Sequence, residues 1–217
     1  MSERTVSNAT GFAALGLSLV MGGCFVASVV FGERPNRALE GPIAAHDLAT
    51  VRRLIEAGGT DGRVGVAEVQ LAATALTPRD ARSVEVFRLV LQQPTASPRP
   101  LFGDAPPSPA NLTLTLREPN GEMTGDTSPA ELAARQWSAG GLRVLLELGL
   151  DVKSVAVSGA LVHAAANGCE PCLTALLDAG ADVNGRDRHG DTALAMAQRV
   201  GNTAIADVLT RRGALAR

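Results

Sequence analysis

The apolar positions in the last third of the chain follow one pattern twice. Residues 160–184 (ALVHAAANGCEPCLTALLDAGADVN) and 192–214 (TALAMAQRVGNTAIADVLTRRGA) each contain two short blocks with aliphatic or small residues three and four positions apart. This spacing is typical of helices that bury one face. Gly168 and Gly201, which separate the two blocks of each unit, lie 33 residues apart. A fixed period of this length predicts stacked helix pairs, because such units bury their apolar faces only against one another.

The period and the residues at the unit boundaries resemble the ankyrin repeat. One unit closes with GADVN at Asn184, and the next opens with the spacing G-x-T-x-L from Gly190. The positions that match the ankyrin pattern are Leu161, Ala164, Ala165, Gly168, Leu173, Leu176, Leu177, Gly180, Ala181, Asp182, Val183, Asn184, Gly190, Thr192, Leu194, Ala197, Gly201, Ile205, Leu209, Gly213 and Ala214. The resemblance implies an all-α helical solenoid of paired helices and a function in protein binding.

Three weaker units upstream keep parts of the same register. They are 128–153, 69–92, which fits if about six residues are inserted between its helices, and 43–59, which looks like the second half of a first repeat. In the unit 128–153, Trp137 stands where the pattern has glycine, either as an exposed anchor for a partner or as a side chain that fills a gap beside the insertion. We therefore predict about five repeats, three of them degenerate. Repeats 1 and 2 would occupy 43–93, and repeats 3 to 5 would occupy 128–215.

A long apolar run lies near the N-terminus. Residues 9–32 carry no charged side chain, and they follow a short polar tail, 1–8. A helix of this length would extend about 36 Å, enough to cross a hydrocarbon core of about 30 Å. We predict a single transmembrane helix or signal anchor, joined to the repeats by a linker at 33–42. A cleaved signal peptide, a lipoprotein signal that ends at Cys24 and a buried soluble helix are the alternatives.

Small residues recur every four positions in this run and would form one face of the predicted helix. Ala14, Ser18 and Gly22 define that face, and faces of this kind let a second membrane helix approach closely. We predict a single-pass protein of a bacterial inner membrane. Its orientation is open: the arginines after the run favour cytoplasmic repeats, whereas the exported bacterial ankyrin proteins that it resembles favour periplasmic ones.

Between the second and third predicted repeats lies a proline-rich insertion, 94–127. Residues 94–130 hold eight of the twelve prolines, so most of the insertion is expected to be extended. Residues 112–116 alternate leucine and threonine as a strand does, and Asn120-Gly121 is a strong hairpin turn. The insertion is therefore either a solvated loop or an arm with a hairpin that binds a partner by adding a strand.

The composition argues against nucleic acid and against catalysis. The formal net charge is −2, only 3% of residues are aromatic and tyrosine is absent, so neither a basic field nor a stacking surface is available. The three histidines fall in different repeats and do not have metal-ligand spacing. We predict that the chain is not an enzyme, holds no cofactor and no metal, and binds no nucleic acid.

Cys169 and Cys172 form a C-x-P-C element at the start of a predicted helix. A thiolate there would be stabilised by the helix N-terminus, as in redox enzymes. The ankyrin register instead assigns these positions to the core and the turn, so we expect packing residues. A disulfide between Cys169 and Cys172 and a redox role are the alternatives.

The resemblance also implies where a partner binds, namely on the hairpin tips and on the concave face of the first helices. The residues carried over to these surfaces are Arg135, Trp137, His163, Asn167, Arg186, Asp187, Arg188, His189, Met196 and Arg199. We predict an accessory or structural subunit that binds another protein, one embedded in a membrane. The rival prediction is an exported redox or stress-protective protein that uses Cys169 and Cys172.

Overall fold

The computed structural model describes residues 37–57, 66–93, 109–111, 114–117 and 123–215, and this part of the chain is mostly helical. Its helices are α1 Arg37–Ala44, α2 Leu48–Glu56, α3 Val66–Thr74, α4 Ala81–Leu91, α5 Pro129–Arg135, α6 Ala139–Glu147, α7 Val155–Asn167, α8 Glu170–Asp178, α9 Ala193–Arg199 and α10 Thr203–Arg211. Two strands, β1 Leu114–Arg117 and β2 Met123–Thr127, pair antiparallel with Leu114 opposite Thr127.

The helices pair in chain order and stack in two rows. The inner row packs α1 on α3, α3 on α5, α5 on α7 and α7 on α9, and the outer row packs α2 on α4, α4 on α6 and α6 on α8. Helix α10 packs on α9. Since α3 contacts α5 and α4 contacts α6, the insertion 94–127 does not interrupt the stack.

Aliphatic side chains and alanines fill the space between the two rows. Leu142, Leu145, Leu161 and Leu173 are fully buried, and Phe87 is the largest side chain in this core. Helices stack closely when the residues at their contacts are small, and the core is accordingly rich in alanine while only 3% of the residues of the chain are aromatic. Burial of the aliphatic side chains is the main stabilising contribution to a fold of this kind.

The turn within each pair explains the periodic glycines. Gly168 follows α7 with φ 77° and Gly201 follows α9 with φ 74°, both in the left-handed region that glycine tolerates best. The outer helix then begins at a capping side chain: Asn202 of repeat 5 accepts a hydrogen bond from the Ile205 amide. The predicted helix end at Gly168 is therefore confirmed.

A ladder of hydrogen bonds joins the ends of repeats 2, 3 and 4 to the unit that follows each of them. Asn184 donates to the Gly213 carbonyl (3.3 Å) and Lys153 donates through Nζ to the Gly180 carbonyl (2.8 Å). Asn111 donates in the same way to the Gly149 carbonyl (3.0 Å). Asn111 thus takes the place that Asn184 has in the later unit, so the repeat register resumes before β1.

The connections between units consequently differ in length while the stack keeps its register. Before α9 the connection is a short tip closed by an isolated bridge between Arg186 and Thr192. Before α5 it is the hairpin β1–β2. Before α7 there is no tip, because Lys153 directly precedes the helix cap Ser154, and α7 is longer instead, with thirteen residues against seven in α9.

Helix α1 differs from the sequence prediction. It occupies Arg37–Ala44, overlapping the stretch 33–42 that we assigned to a linker, and it supplies the first helix of a unit for which we expected only the second. Leu39 and Ile43 are buried, so contact with α2 and α3 supports a helix that contains Gly41 and Pro42. In repeat 2, residues 75–80 form the longer connection expected between its helices.

Several predictions fall on residues outside the described ranges. These are the apolar run 9–32 with Ala14, Ser18 and Gly22, the residue Cys24 and the turn Asn120-Gly121. The strands on either side of that turn do pair as a hairpin. Among the residues that the structure describes, no helix combines the length and the apolar character that a membrane crossing requires.

Candidate protein-interaction surface

The inner helices α5, α7 and α9 lie side by side, and the tip 185–191 precedes α9. Together with the turn after α5, which holds Trp137, they carry the ten residues that the sequence assigned to partner binding. We call this the concave surface. Three pairs of its polar side chains contact one another, Arg135 with His163, Arg188 with Glu131 and Asp191 with Arg199, so these side chains are positioned before any partner arrives.

Arg135 and His163 form a contact between α5 and α7. The Nε and Nη2 atoms of Arg135 lie 3.2 and 3.0 Å from Nε2 of His163. Arginine can only donate, so Nε2 accepts and the ring proton lies on Nδ1. Burial lowers the pKa of His163, and the neighbouring charge of Arg135 lowers it further. His163 is therefore neutral at pH 7, and the side chain of Arg135 is exposed.

A buried carboxylate lies one helical turn before Arg135. Glu131 is 3% exposed, and Arg188 of the tip donates to both of its carboxylate oxygens at 2.8 and 2.7 Å. The Ser128 amide and the Thr127 hydroxyl also donate to Glu131. This pair joins the tip before α9 to the first turn of α5, and it crosses α7, which has no tip of its own.

Gly159 of α7 makes this crossing sterically feasible. A Cβ atom at position 159 would lie 2.2 Å from Oε1 of Glu131, which is closer than nonbonded atoms approach. We did not single out Glu131 from the sequence. The signal was present as Ser-x-x-Glu at 128–131, and both hydrogen bonds of this capping box are made.

The tip 185–191 is closed by Asp187. Its Oδ1 accepts from the amides of His189 and Asp191, both at 2.9 Å. Asp191 in turn pairs with Arg199 at 2.8 Å, and the hydrogen bond from Arg199 is the first cause of the lowered pKa of Asp191. Met196 contacts the same arginine through Sδ. Asp187 therefore closes the turn through its side chain, and Asp191 joins the tip to α9.

Trp137 adopts an unusual backbone conformation. Its φ is 57°, at the place where Gly168 and Gly201 end the inner helices of the next two repeats, and 49% of its surface is exposed. A residue with a Cβ is disfavoured in the left-handed region. The substitution of tryptophan for glycine, expected from the sequence, thus places a large aromatic side chain on the surface at a cost in backbone strain. Asn167 lies half-buried at the end of α7.

His46 is the other described non-glycine residue with positive φ, at 54°, and its contacts are internal. Its Nε2 lies 2.7 Å from the Ala75 carbonyl and its Nδ1 lies 2.8 Å from a carboxylate oxygen of Asp80. These contacts join the turns of repeats 1 and 2, and they offset the strain at His46. The side chain of Trp137 makes no hydrogen bond in the described part of the chain that would do the same.

Cys169 and Cys172 are joined by a disulfide. Both are buried, at 2% and 0% exposure, and the Cys172 amide donates to the sulfur of Cys169 at the start of α8. They are core and turn residues, as the register implied, and the bond adds a covalent link between the turn and the helix. Within the described ranges, no group of three or more His, Cys, Asp or Glu side chains is placed to hold a metal ion.

A second depression lies on the outer row. It has a volume of about 430 Å³ between α6 and α8, and it is lined by Arg143, Glu170, Pro171, Thr174, Ala175 and Asp178. None of the residues predicted to bind a partner lies in it. The acidic side chains there stand beside Arg143 and Arg212, which pairs with Asp178 at 2.7 Å.

Paired helices in two rows, short connections and an organised concave surface define a helical-repeat protein. A family model of ankyrin repeats in three copies matches residues 131–215, which covers α5 to α10. This part of the chain consists of ankyrin repeats, and ankyrin repeats mediate contacts between proteins. The repeats at 131–215 therefore indicate a protein-interaction module. No curated protein matches the chain.

Proposed function

We propose that the chain is a non-catalytic, membrane-tethered ankyrin-repeat module, an accessory or structural subunit that binds a membrane-embedded protein. The repeats at 131–215 support the binding role. The proposed tether rests on the uncharged run 9–32, whose length suits a bilayer. A tether close to the first repeat would hold the stack at the membrane surface and raise its effective concentration for a partner there.

Trp137 is the observation that carries the binding role. It combines an exposed aromatic side chain with a left-handed backbone, and both features are unfavourable for an isolated chain. Strain of this kind concentrates at sites where function requires it, and tryptophan is the residue type most enriched among energetically dominant interface residues. Arg135 and His163 lie on α5 and α7 of the same concave surface.

The test compares wild type with Trp137→Ala, each purified at full length from its own membranes in mild detergent, by quantitative mass spectrometry. Val200→Ala is the matched control, because Val200 is equally exposed at the corresponding turn of repeat 5. We expect one membrane protein to accompany wild type and the control, and its recovery to fall about tenfold or more with Trp137→Ala. A lone wild-type monomer would contradict the proposal.

The disulfide supports an assignment of the repeats to the oxidising side of the membrane, since such bonds persist mainly in oxidising compartments. Cells treated with a thiol-blocking reagent, then denatured, reduced and labelled, report the bond. We expect label on Cys169 and Cys172 only after reduction. Label before reduction would assign the repeats to the reducing side.

The rival proposal is an exported redox or stress-protective protein that uses this cysteine pair. Burial of both sulfurs disfavours it, because thiol–disulfide exchange needs access to a sulfur atom. A Cys169→Ser/Cys172→Ser double variant separates the two: a structural bond predicts lower stability with partner recovery retained, and a redox role predicts loss of protection in a folded protein.

A further inference from the structure

The guanidinium group of Arg135 has an incomplete set of acceptors. Its Nε–H and one Nη2–H form the edge that pairs side by side with a carboxylate. Here both atoms point to one nitrogen, Nε2 of His163, at 3.2 and 3.0 Å. A neutral imidazole has one acceptor nitrogen and no negative charge. The single lone pair of His163 Nε2 thus accepts from two N–H groups of Arg135, whose positive charge is permanent.

The nearby acids are already engaged. Glu131, four residues earlier on α5, is buried, and its two oxygens accept from Arg188, Thr127 and Ser128. Asp187 accepts from two amides of its own turn. Neither acid neutralises Arg135, so the exposed fork of this arginine faces a neutral group on the concave surface.

We propose that the Arg135 fork, which His163 positions before the partner binds, receives a carboxylate from an acidic segment of the partner, with an apolar side chain of that segment against Trp137. The inference rests on the proposed protein-binding function and names the chemistry of its partner. The carboxylate replaces the imidazole as acceptor and supplies two oxygens and a charge. Trp137 follows Arg135 by two residues, so one short segment reaches both.

Local charge favours a single carboxylate over a polyanion. Around the fork, the positive charges of Arg135 and Arg188 are opposed by Glu131 and Asp187, which are named with them among the charges acting on His163. A phosphate-rich surface or a nucleic acid would meet these acids as well as the arginines. An acidic residue beside an apolar one matches both the charge and the exposed indole.

The chain offers a direct optical reporter, because Trp137 is its one tryptophan. Full-length protein in mild detergent is titrated with a blocked Leu-Glu-Leu-Glu peptide and with its Leu-Gln-Leu-Gln counterpart, and tryptophan emission is followed. We expect a saturable change with the acidic peptide, at an affinity about tenfold above that of the neutral one, as for a charge-assisted pair.

Variants assign the effect to the fork. Arg135→Gln should weaken binding of the acidic peptide about tenfold and leave the neutral peptide unchanged, and Arg135→Lys, which keeps the charge without the fork, should fall between. Arg143→Gln, an exposed arginine of the outer helix α6, is the control and should bind like wild type.

Three outcomes overturn the inference. The first is equal affinity for the acidic and the neutral peptide. The second is a loss of affinity for the acidic peptide in the Arg143→Gln control as large as that in Arg135→Gln. The third is a change in tryptophan emission with phosphatidylglycerol vesicles that exceeds the peptide response and is lost with Arg135→Gln. If the peptide fails while the membrane partner still accompanies wild type but not Trp137→Ala, the proposed function stands and only the acidic chemistry falls.

Discussion

The backbone strain at Trp137 is measurable if its contribution is separated from that of the indole. Trp137→Ala and Trp137→Gly both remove the side chain and the packing of its buried half. They differ in the backbone, because alanine keeps a Cβ at φ 57° and glycine does not. Comparison of these two variants with each other therefore isolates the strain.

The expected difference follows from two opposing contributions. A left-handed conformation costs a residue with a Cβ about 1–2 kcal/mol, and the greater freedom of glycine in the unfolded chain costs about 0.4–1 kcal/mol. Trp137→Gly should therefore be more stable than Trp137→Ala by about 1 kcal/mol. Within a regular helix the order is reversed, with alanine favoured by about 1 kcal/mol.

The assay is urea unfolding of the full-length protein in mild detergent, followed by its helical circular dichroism. Arg52 supplies the matched control pair, because it is exposed in the middle of α2, and Arg52→Ala should be more stable than Arg52→Gly. Equal stabilities at position 137, or a more stable alanine variant, would refute the strain and with it the interpretation of Trp137 as a residue retained for binding.

Three further outcomes are expected in unfolding experiments. Gly159→Ala should destabilise the protein by about 2 kcal/mol because its methyl group displaces the buried Glu131 carboxylate. Gly41→Ala is the control and should be neutral or stabilising, because the space around a Cβ at position 41 is open. Equal effects would contradict the passage of the Arg188–Glu131 pair over Gly159. Lys153→Met should cost about 0.5–1 kcal/mol through the lost ladder bond, and Lys153→Asn should cost less; identical losses would show that the ladder does not stabilise the stack. The lowered pKa of His163 means that the unfolded chain binds a proton more readily, so wild type should lose stability relative to His163→Gln as pH falls below about 6.5; parallel pH profiles would exclude this.

The later repeats were predictable because a local structural requirement determines the residue type at each of the matched positions. Small residues mark helix contacts, and Gly168 and Gly201 mark left-handed turns, so two copies of the pattern reveal the period. Helix α1 was not predictable in this way. Gly41 and Pro42 are poor helix formers, and the helix depends on burial of Leu39, which only the folded stack supplies.

The positions of the candidate residues in the stack were predictable from the register, but the contacts between them were not, and their role in partner binding stays a prediction. The register located Arg135, His163 and Arg188 on the correct side of the stack, since inner helices repeat at a fixed interval. The pairing of Arg188 with Glu131, 57 residues apart, depends on the lack of a tip before α7. A period detected in the sequence does not show which neighbouring repeat a tip will contact. The disulfide likewise depends on the distance between Cys169 in the turn and Cys172 in α8, which is 5.3 Å between their Cα atoms.

The connections between repeats vary freely because the ladder fixes the stack independently of them. The closing glycine carbonyl of the next unit accepts a hydrogen bond from Asn111, Lys153 and Asn184 in turn. A hairpin follows the first of these residues, no tip follows the second, and a short tip follows the third. Lengthening a surface connection costs little, since the entropy of loop closure grows only logarithmically with length. Two neighbouring repeats of equal stability can thus present different surfaces. Because no tip precedes α7, Arg188 reaches Glu131. Since Glu131 is paired with Arg188, the only acceptor left for the Arg135 fork is the neutral imidazole of His163.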